Sequence, residues 1–387
     1  MTVRVIIVPL NLFVQGTGEM RIAYVLTSLG VGGAERQAVA LAERMVARGH
    51  MVSFIVLRDC QPHEWPTTVN VVRLDVHKNP ASLIGGLLKA RRFLRSFHPE
   101  LIHSHTYPAN MAARLLKISF PMAAVLSTVH SIYEGPWPRM LAYRLSDFLS
   151  RRTTTVSQAG AARYVRLKAT PTHKLSVVTN GIDTAEFVPS PDRRVCKRAE
   201  MGVSDEFVWL AAGRIAPAKD YPNLLRAFSR VHARISAARL WVAGEAHVNG
   251  LASVQALAAE LGVEAAVRWL GLRRDMPALL DAADGFVSAS AWEGMPLAVG
   301  EAMAMEKPVV ATDVGGVREL VGEYGVMVPA KAPAALAQAM LTVMQTALQA
   351  RSSLGRAARE RVHSKFTIDA KADEWESFYR TTLAHCR

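Results

Sequence analysis

The sequence predicts an α/β protein made of two doubly wound parallel sheets. Short apolar runs that suit strands alternate with longer stretches of helical periodicity along the whole chain, and this alternation is typical of βαβ units. A chain of 387 residues is too long for a single core, so two domains are expected. Ligands of such sheets bind beyond the carboxyl ends of the strands, so functional residues are expected there.

The order of these runs also predicts the domain boundaries. Prolines and mixed charges between Asp183 and Ser204 are typical of a connection between domains. We therefore expect an extension at 1–19, a first domain at 20–184 and a second domain at 185–365. The predicted strands cover residues 22–26, 52–57, 71–74, 101–103, 123–128 and 154–156, then 207–211, 239–242, 267–270, 285–288, 308–311 and 325–328.

Composition indicates a protein of a reducing compartment without a membrane span. No apolar run reaches the roughly 18 residues that cross a bilayer. The apolar start at 3–14 is short, contains Pro9 and lacks a cleavage site, so we interpret it as an extension and not a signal peptide. Cys60, Cys196 and Cys386 are odd in number and far apart, which favours free thiols in the cytoplasm over disulfides or a metal framework.

The net charge of +13 lies almost wholly in the first half of the chain. Residues 1–170 contain 21 Lys and Arg against 9 Asp and Glu. This asymmetry predicts an anionic partner, which could be a membrane surface, a phosphorylated acceptor or nucleic acid. A basic amphipathic helix at 83–97 could rest on anionic lipid or simply pack on the sheet. Its apolar residues are Leu83, Leu87, Leu94 and Phe97, and its flanking cations are Lys89, Arg92 and Arg95.

The stretch from residue 288 to residue 305 predicts a phosphate site at the start of a helix. Pro296 suits the first helical position, and the amides of Leu297 and Ala298 are then free at the positive end of the helix dipole. Glu301 lies about 7.5 Å further along the axis, within reach of a ribose whose diphosphate rests on the helix end. Glu293 is a second hydrogen-bond acceptor before the helix. Taken alone, two carboxylates at this spacing are more often solvated ends of an ordinary helix.

Two cations and several glycines follow other predicted strands. Arg214 offers a planar fork and Lys219 a point charge, a pair that suits diphosphate oxygens. No Asp-x-Asp sequence occurs, so nothing supports a metal held by that motif. Gly32 and Gly33 begin a helix and allow an anion to approach, but Glu35 stands where a dinucleotide fingerprint needs its third glycine.

Histidines end two neighbouring predicted strands. His105 follows residues 101–103 and His130 follows residues 123–128, which places both at the crevice between the domains. A histidine in such a place can be structural or functional. After residues 308–311, Gly315 and Gly316 either begin a helix or let the backbone approach a sugar.

The segment Glu293-Gly-Met-Pro-Leu-Ala-Val-Gly-Glu301 resembles the Glu-x7-Glu signature of glycosyltransferase family 4. Members of this family are retaining enzymes of the GT-B fold, and the similarity runs from about Met20 to the C-terminus. The resemblance implies transfer of a sugar from a nucleotide donor, UDP- or GDP-linked, to an acceptor hydroxyl. It also implies that no cofactor and no metal ligand are required, and that the C-terminal helix at 366–385 packs back on the first domain.

The resemblance assigns roles to individual residues. Glu293 is expected to hold sugar hydroxyls, Glu301 the ribose, and His130 the sugar near its reacting carbon, while Arg214 and Lys219 hold the leaving diphosphate. The loop that carries Arg273 is expected to contact the base. The expected catalytic residues are His130, Arg214, Lys219 and Glu293, and the expected substrate-binding residues are Gly32, Gly33, His105, Gly244, Arg273, Met295, Pro296, Leu297, Ala298 and Glu301.

Other classes of protein share some of these features. A non-hydrolysing sugar-nucleotide epimerase would have the same architecture, a nicotinamide oxidoreductase would show the same alternation, and a nucleic-acid-binding protein would explain the basic half. We expect instead a cytoplasmic glycosyltransferase, peripheral on the inner membrane face, with a lipid-linked or envelope saccharide such as lipopolysaccharide as acceptor and no nucleic-acid partner.

Overall fold

A computed structural model describes residues 18–30, 32–58, 69–77, 79–246 and 250–384. Most of the predicted extension at 1–19 lies outside these residues, as do Cys60 and Cys386. Cys196 is described and is an exposed free thiol.

The first domain contains a seven-stranded parallel sheet in the order β3-β2-β1-β4-β5-β6-β7. Its strands are β1 (Arg21–Leu26), β2 (Met51–Val56), β3 (Asn70–Arg73), β4 (Leu101–His105), β5 (Ala124–Val129), β6 (Arg152–Thr155) and β7 (Leu175–Val177). Its helices are α1 (Gly33–Ala47), α2 (Pro80–Phe97), α3 (Tyr107–Ser119), α4 (Trp137–Leu145) and α5 (Gln158–Arg166).

The second domain contains a six-stranded parallel sheet in the order β10-β9-β8-β11-β12-β13. Its strands are β8 (Phe207–Ala212), β9 (Ala238–Ala243), β10 (Val267–Gly271), β11 (Gly285–Ser288), β12 (Val309–Thr312) and β13 (Val326–Val328). The helices are α6 (Pro191–Glu200), α7 (Tyr221–His232), α8 (Gly250–Glu260), α9 (Met276–Ala282), α10 (Leu297–Ala304), α11 (Val317–Val321), α12 (Pro333–Gln345), α13 (Leu348–Lys365) and α14 (Ile368–Ala384).

The predicted fold class is confirmed. Each predicted strand is present, with ends within two residues of those expected, because strands covered on both faces read as continuous apolar runs. The sequence did not reveal β7, since Leu175-Ser176-Val177 is short and only half buried. The predicted connection at 183–204 contains α6, which packs against α9 of the second domain. The chain therefore passes between the domains before α6.

The C-terminal helix α14 returns to the first domain and completes its core. Trp375 is 3% exposed and packs in the same apolar cluster as β1 and α1. The Tyr379 hydroxyl lies 3.0 Å from the Tyr24 hydroxyl and 2.7 Å from His103 Nδ1, while His103 Nε2 lies 2.7 Å from Thr128 Oγ1. These buried polar groups satisfy one another, as burial requires. The tyrosine on α14 is thus the centre of a hydrogen-bonded chain through the sheet.

We expect Tyr379→Phe to lower the free energy of unfolding by about 1–3 kcal/mol, because it leaves His103 Nδ1 buried without its partner. Urea unfolding followed by circular dichroism measures the loss. Tyr107→Phe is the control, since no hydrogen bond of the Tyr107 hydroxyl is found among the described residues, and its change should stay within about 0.5 kcal/mol. Equal losses in the two variants would contradict the assigned hydrogen-bonded chain.

Candidate functional site

The two domains meet along a seam of backbone contacts around Gly294. Ser131 of the first domain pairs with Gly294 of the second in an antiparallel bridge, and a Cβ on Gly294 would lie 2.0 Å from the His130 carbonyl oxygen. From the other side, the Gly316 amide donates to the Gly294 carbonyl at 2.7 Å. Gly315 has a φ of +56°, and a Cβ there would lie 2.0 Å from the Glu293 carbonyl oxygen. In this structure the close approaches of Gly315 and Gly316 are therefore to protein backbone.

Helix α10 begins immediately after this seam. Pro296 is the residue before the first helical one, with φ −75° and ψ 117°, so the prediction that it occupies the first helical position was one residue out. Met295, the residue before it, is buried, and its carbonyl oxygen accepts a hydrogen bond from Asn180 Nδ2 at 2.8 Å. Leu297 and Ala298 are half buried, and first-turn amides have no partner within a helix.

The starts of α1 and α10 face each other across the seam. A Cβ on Gly33 would lie 3.8 Å from Leu297 Cδ1, so the second residue of the Gly32-Gly33 pair is next to the first turn of α10. Gly32 is the residue before α1, and a Cβ on it would lie 2.2 Å from Glu35 Oε2. Each helix start carries a partial positive charge, and the Glu35 carboxylate beside Gly32 offsets part of that charge at α1. This arrangement suits an anion.

Glu293 and Lys219 form an ion pair beside the start of α10. Lys219 Nζ lies 2.5 Å from Glu293 Oε1, and Ser290 Oγ donates to the same oxygen at 2.7 Å. Arg214 is exposed, and no hydrogen bond or ion pair of its side chain is found among the described residues. The segment from Arg214 to Lys219 thus carries one cation paired with a carboxylate, Lys219, and one without a partner among the described residues, Arg214.

Glu301 is buried and is paired with a cation of the other domain. Its side chain is 4% exposed, and Oε1 lies 2.8 Å from the guanidinium of Arg36 on α1. Sequence analysis selected Glu301 but did not identify Arg36. The signal that could have found it is its position three residues after Gly33, on a helix whose start was already expected to face the donor phosphates.

Three histidines, His103, His105 and His130, contact one another in and after β4 and β5, with their rings tilted by 38° and 34°. His105 Nδ1 lies 2.8 Å from His130 Nε2, and the ring centres of His103 and His105 are 4.1 Å apart. His105 is only 2% exposed, whereas His130 is half-buried. The buried Nδ1 of His130 has no hydrogen-bond partner among the described residues.

Burial keeps these histidines neutral. It lowers the pKa of His130 to about 4, and it lowers the pKa values of His103 and His105 well below the usual range, with neighbouring imidazoles adding to the effect. Thr106, which follows His105, has a φ of +71°, a strained conformation for a β-branched residue. Its hydroxyl lies 2.9 Å from that of Thr27 at the end of β1. Backbone strain of this kind concentrates at functional sites.

The ends of β8, β9 and β10 are joined by close glycine contacts. A Cβ on Gly244 would lie 2.0 Å from the Gly213 carbonyl oxygen, and the Gly244 amide donates to the Gly271 carbonyl at 2.8 Å. Arg273, expected near the base, pairs instead with both oxygens of Asp275 at 2.8 and 2.7 Å. This guanidinium holds the pKa of the Asp275 carboxyl well below its usual range. The Arg273 side chain is therefore committed to its own loop.

Two further carboxylates near the seam were missed by sequence analysis. Glu319 of α11 accepts hydrogen bonds from the Gln158 and Ala159 amides at 2.9 and 3.1 Å, so it caps a helix of the first domain from the second. Glu134, in the loop after His130, accepts from the Tyr143 hydroxyl at 2.8 Å, and burial raises its pKa to about 7. Neither residue lies in a recognisable motif.

The fold and the family models together define a two-domain glycosyltransferase of the GT-B class. Residues 31–186 match the family model described as Glycosyltransferase Family 4, and residues 206–346 match the model described as Glycosyl transferases group 1. The chain belongs to this family of glycosyltransferases, and the resemblance stated from the sequence is confirmed. The epimerase, oxidoreductase and nucleic-acid-binding alternatives are not favoured.

Curated relatives cover most of the chain. An uncharacterized glycosyltransferase of Methanocaldococcus jannaschii is 27% identical over 91% of this chain and 95% of its own length. D-inositol 3-phosphate glycosyltransferase of Segniliparus rotundus is 29% identical over 73% of this chain and 66% of its own. The UDP-Gal:alpha-D-GlcNAc-diphosphoundecaprenol alpha-1,3-galactosyltransferase of Escherichia coli is 23% identical over 59% and 62%.

Solved structures share the fold. Anabaena HepE in complex with UDP and glucose superposes with a TM-score of 0.83 at 21% identity, over 93% of this chain and 99% of that one. WaaG, a glycosyltransferase involved in lipopolysaccharide biosynthesis, gives a TM-score of 0.74 at 16% identity, over 92% and 99%. Within the described ranges, none of the helices is both long enough and apolar enough to span a bilayer.

The neutral histidines predict acid sensitivity. An unfolded histidine takes up a proton below about pH 6.5, whereas folded His130 does so only near pH 4, so stability falls as the pH drops through this window. We expect His130→Asn to remove part of this loss, on the order of 1–3 kcal/mol. Urea unfolding at pH 7 and pH 4.5 measures it in both proteins. An identical pH dependence in the variant would show that His130 is not held neutral.

Proposed function

We propose that this protein is a retaining glycosyltransferase that moves a hexosyl group from a UDP- or GDP-linked donor to a hydroxyl of a lipid-linked or cell-envelope saccharide. The observation that carries the proposal is the convergence of two helix starts across the seam, with the Lys219–Glu293 pair beside them. Positive ends for a diphosphate and acceptor oxygens for hydroxyl groups are the two things that a nucleotide sugar requires.

The donor would lie along α10. Its diphosphate would rest on the first-turn amides of Leu297 and Ala298 and on Gly32 and Gly33, with Arg214 and Lys219 neutralising its charge. Glu301 would hold the ribose and Glu293 the sugar hydroxyls. The backbone around Gly244 and in the loop of Arg273 would face the base. Support comes from the HepE structure, which contains UDP and glucose in the same fold.

Catalysis would depend on charge stabilisation and on exclusion of water. As the bond between the sugar and the diphosphate breaks, negative charge develops on the leaving oxygen, and Arg214, Lys219 and the helix starts stabilise it. That oxygen would take the proton of the acceptor hydroxyl as the hydroxyl attacks from the same face, so no protein nucleophile is needed. His130, neutral at physiological pH, would form a hydrogen bond with the sugar near its reacting carbon. Closure of the domains would exclude water, which limits hydrolysis of the donor.

The acceptor side would rest on an anionic membrane surface on the cytoplasmic side. The first domain exposes an apolar face on α2, α3 and α4 and the turn after α4. Exposed cations, among them Arg92, Arg95 and Arg144, lie on the same helices. The residues of this apolar face are Ile84, Leu88, Leu115, Ile118, Met122, Trp137, Leu141, Leu145 and Phe148, and their exposure is 37–85%.

This face differs in part from the one that helical periodicity suggested. In α2, Leu87 and Phe97 pack against the core and Leu94 is fully buried, so most of the side expected to meet lipid faces the sheet. Leu83, the fourth residue of that side, is exposed. Ile84 and Leu88 are the α2 residues that are exposed on the proposed lipid-facing side. On α4, the exposed residues Trp137, Leu141 and Leu145 follow one another at four-residue spacing and so lie along one side of the helix. Apolar side chains rimmed by cations suit anionic lipid. The Escherichia coli relative is named for a diphosphoundecaprenol-linked acceptor, which also supports a lipid-linked substrate.

A donor screen followed by a transfer assay tests the proposed activity. We expect one of UDP and GDP to bind in the presence of EDTA, and the product to keep the anomeric configuration of the donor in NMR spectra. Glu301→Ala should weaken nucleotide binding about 10- to 100-fold, since hydrogen bonds to a charged group contribute about 1.5–3 kcal/mol. Calorimetry measures the affinity, and Glu323→Ala, on the exposed surface of the same domain, is the control. Full affinity and activity in Glu301→Ala, or an inverted product, would contradict the proposal.

Flotation with phosphatidylglycerol vesicles tests the membrane face. The protein should bind these vesicles, and binding should weaken with salt because the cations are screened. Trp137→Glu with Leu145→Glu should abolish binding, since both side chains are more than 60% exposed on the apolar face. Leu348→Glu removes an equally exposed leucine of the second domain and should leave binding unchanged. Absence of binding by the unmodified protein would remove the membrane from the proposal.

A further inference from the structure

The buried carboxylate of Glu301 receives its counter-charge from the opposite domain. Glu301 lies in α10, and Arg36 lies in the first turn of α1, 2.8 Å from Glu301 Oε1. The Glu301 side chain is 4% exposed, whereas that of Arg36 is 33% exposed. Removing a carboxylate from water is costly unless a cation or hydrogen bonds compensate it. In this protein a residue of the first domain compensates a group of the second.

Arg36 is surrounded by acidic groups, and Glu301 acts on it most strongly. The Glu301 carboxylate is the largest cause of the raised pKa of Arg36, ahead of Glu186 and Asp183 in the connection between the domains. Asp183 already has its own cation, since its carboxylate lies 2.7 Å from the guanidinium of Arg44. The role of Arg36 therefore differs from that of Arg44, which pairs α1 with the segment that connects the domains. Its guanidinium is directed to the group expected to bind ribose.

We propose that Arg36 is a positioning residue that fixes the charge and orientation of the Glu301 carboxylate for the donor ribose, so that ribose recognition is complete only when the two domains are closed. This inference rests on the proposed function, which assigns the ribose to Glu301. Arg36 and the ribose hydroxyls share one carboxylate without competing for it, because a carboxylate has about four acceptor sites on its two oxygens. Closure strengthens donor binding, and by reciprocity the donor favours closure.

Other contacts across the seam differ from this pair in what they hold. Glu319 caps α5, and the bridge between Ser131 and Gly294 joins backbone to backbone. These contacts stabilise the arrangement of the domains but involve no group assigned to the nucleotide. If Arg36 were only another such tie, its loss would weaken every ligand of the closed site to the same extent. If Arg36 positions Glu301, its loss weakens only ligands that have ribose hydroxyls.

Nucleotides with and without ribose hydroxyls distinguish these two cases. The probes are UDP and 2′,3′-dideoxyuridine diphosphate, with the corresponding guanosine pair measured in parallel, and calorimetry gives each affinity. We expect the unmodified protein to prefer the ribonucleotide of the base it binds by at least about 10-fold, as hydrogen bonds to a charged group imply. Arg36→Gln should reduce this preference to about 3-fold or less, while affinity for the dideoxynucleotide changes less than about 3-fold. Arg36→Lys, which keeps the charge, should restore part of the preference.

Matched variants separate positioning from folding. Arg48→Gln removes an ion pair with Asp373 at 2.6 Å at the other end of α1, far along the helix from the seam, and should leave the preference unchanged. If Arg36→Gln does not fold, Arg36→Met keeps the apolar stem and is measured in its place. In the transfer assay, Arg36→Gln should raise KM for the donor more than it lowers kcat, because the ribose is remote from the reacting bond.

The outcomes distinguish this inference from the proposed function. If Arg36→Gln keeps the full preference, or weakens both nucleotides equally, while Glu301→Gln abolishes the preference, the role of Arg36 is overturned and the donor site stands. If Glu301→Gln also keeps the preference, the assignment of ribose to Glu301 is overturned, and the role of Arg36 with it. The stereochemistry of the product, measured separately, tests glycosyl transfer in either case.

Discussion

The approach of two backbones at Gly294 is the constraint on which the site depends. Any side chain at this position would overlap the His130 carbonyl, and the Gly316 amide holds the Gly294 carbonyl from the other side. The loop before α10 therefore lies directly against the residues that follow β5 and β6, His130 and Val156. Because this contact involves backbone atoms, it fixes the distance between the domains more closely than flexible side chains could. The start of α10 meets the start of α1 as a consequence.

The first domain supports its side of the seam with a buried polar chain. Tyr379 of α14 joins Tyr24 and His103, and the His103 ring packs on His105, which in turn bonds to His130. The orientation of His130 at the seam is thus linked to a helix more than 200 residues away in the sequence. Burial keeps the neighbouring imidazoles neutral, so they do not repel one another or the positive helix starts. A neutral His130 is a hydrogen-bonding group and not a cation.

Charged residues of each domain pair with groups of the other domain. In the proposed donor site, helix starts and the Arg214-to-Lys219 segment would provide positive potential for a diphosphate, and Glu293 and Glu301 would provide acceptor oxygens. The Glu301 carboxylate is in the second domain and its cation Arg36 in the first, while Glu319 of the second domain caps α5 of the first. Because these contacts join the two domains, the charge and orientation of the site residues depend on the relative position of the domains.

The sequence by itself determined the two parallel sheets and predicted the start of α10 to within one residue, because both follow from local periodicity and turn residues. Motifs of fixed spacing also predicted Glu293, Glu301 and Lys219 as site residues. Tertiary structure alone decided that Arg36 pairs with Glu301 and that His105 bonds to His130. It also decided which side of α2 faces solvent, since Leu87 and Ile84 are equally apolar in the sequence. Partners across a domain seam are set by packing between segments distant in the chain, and no local pattern records that packing.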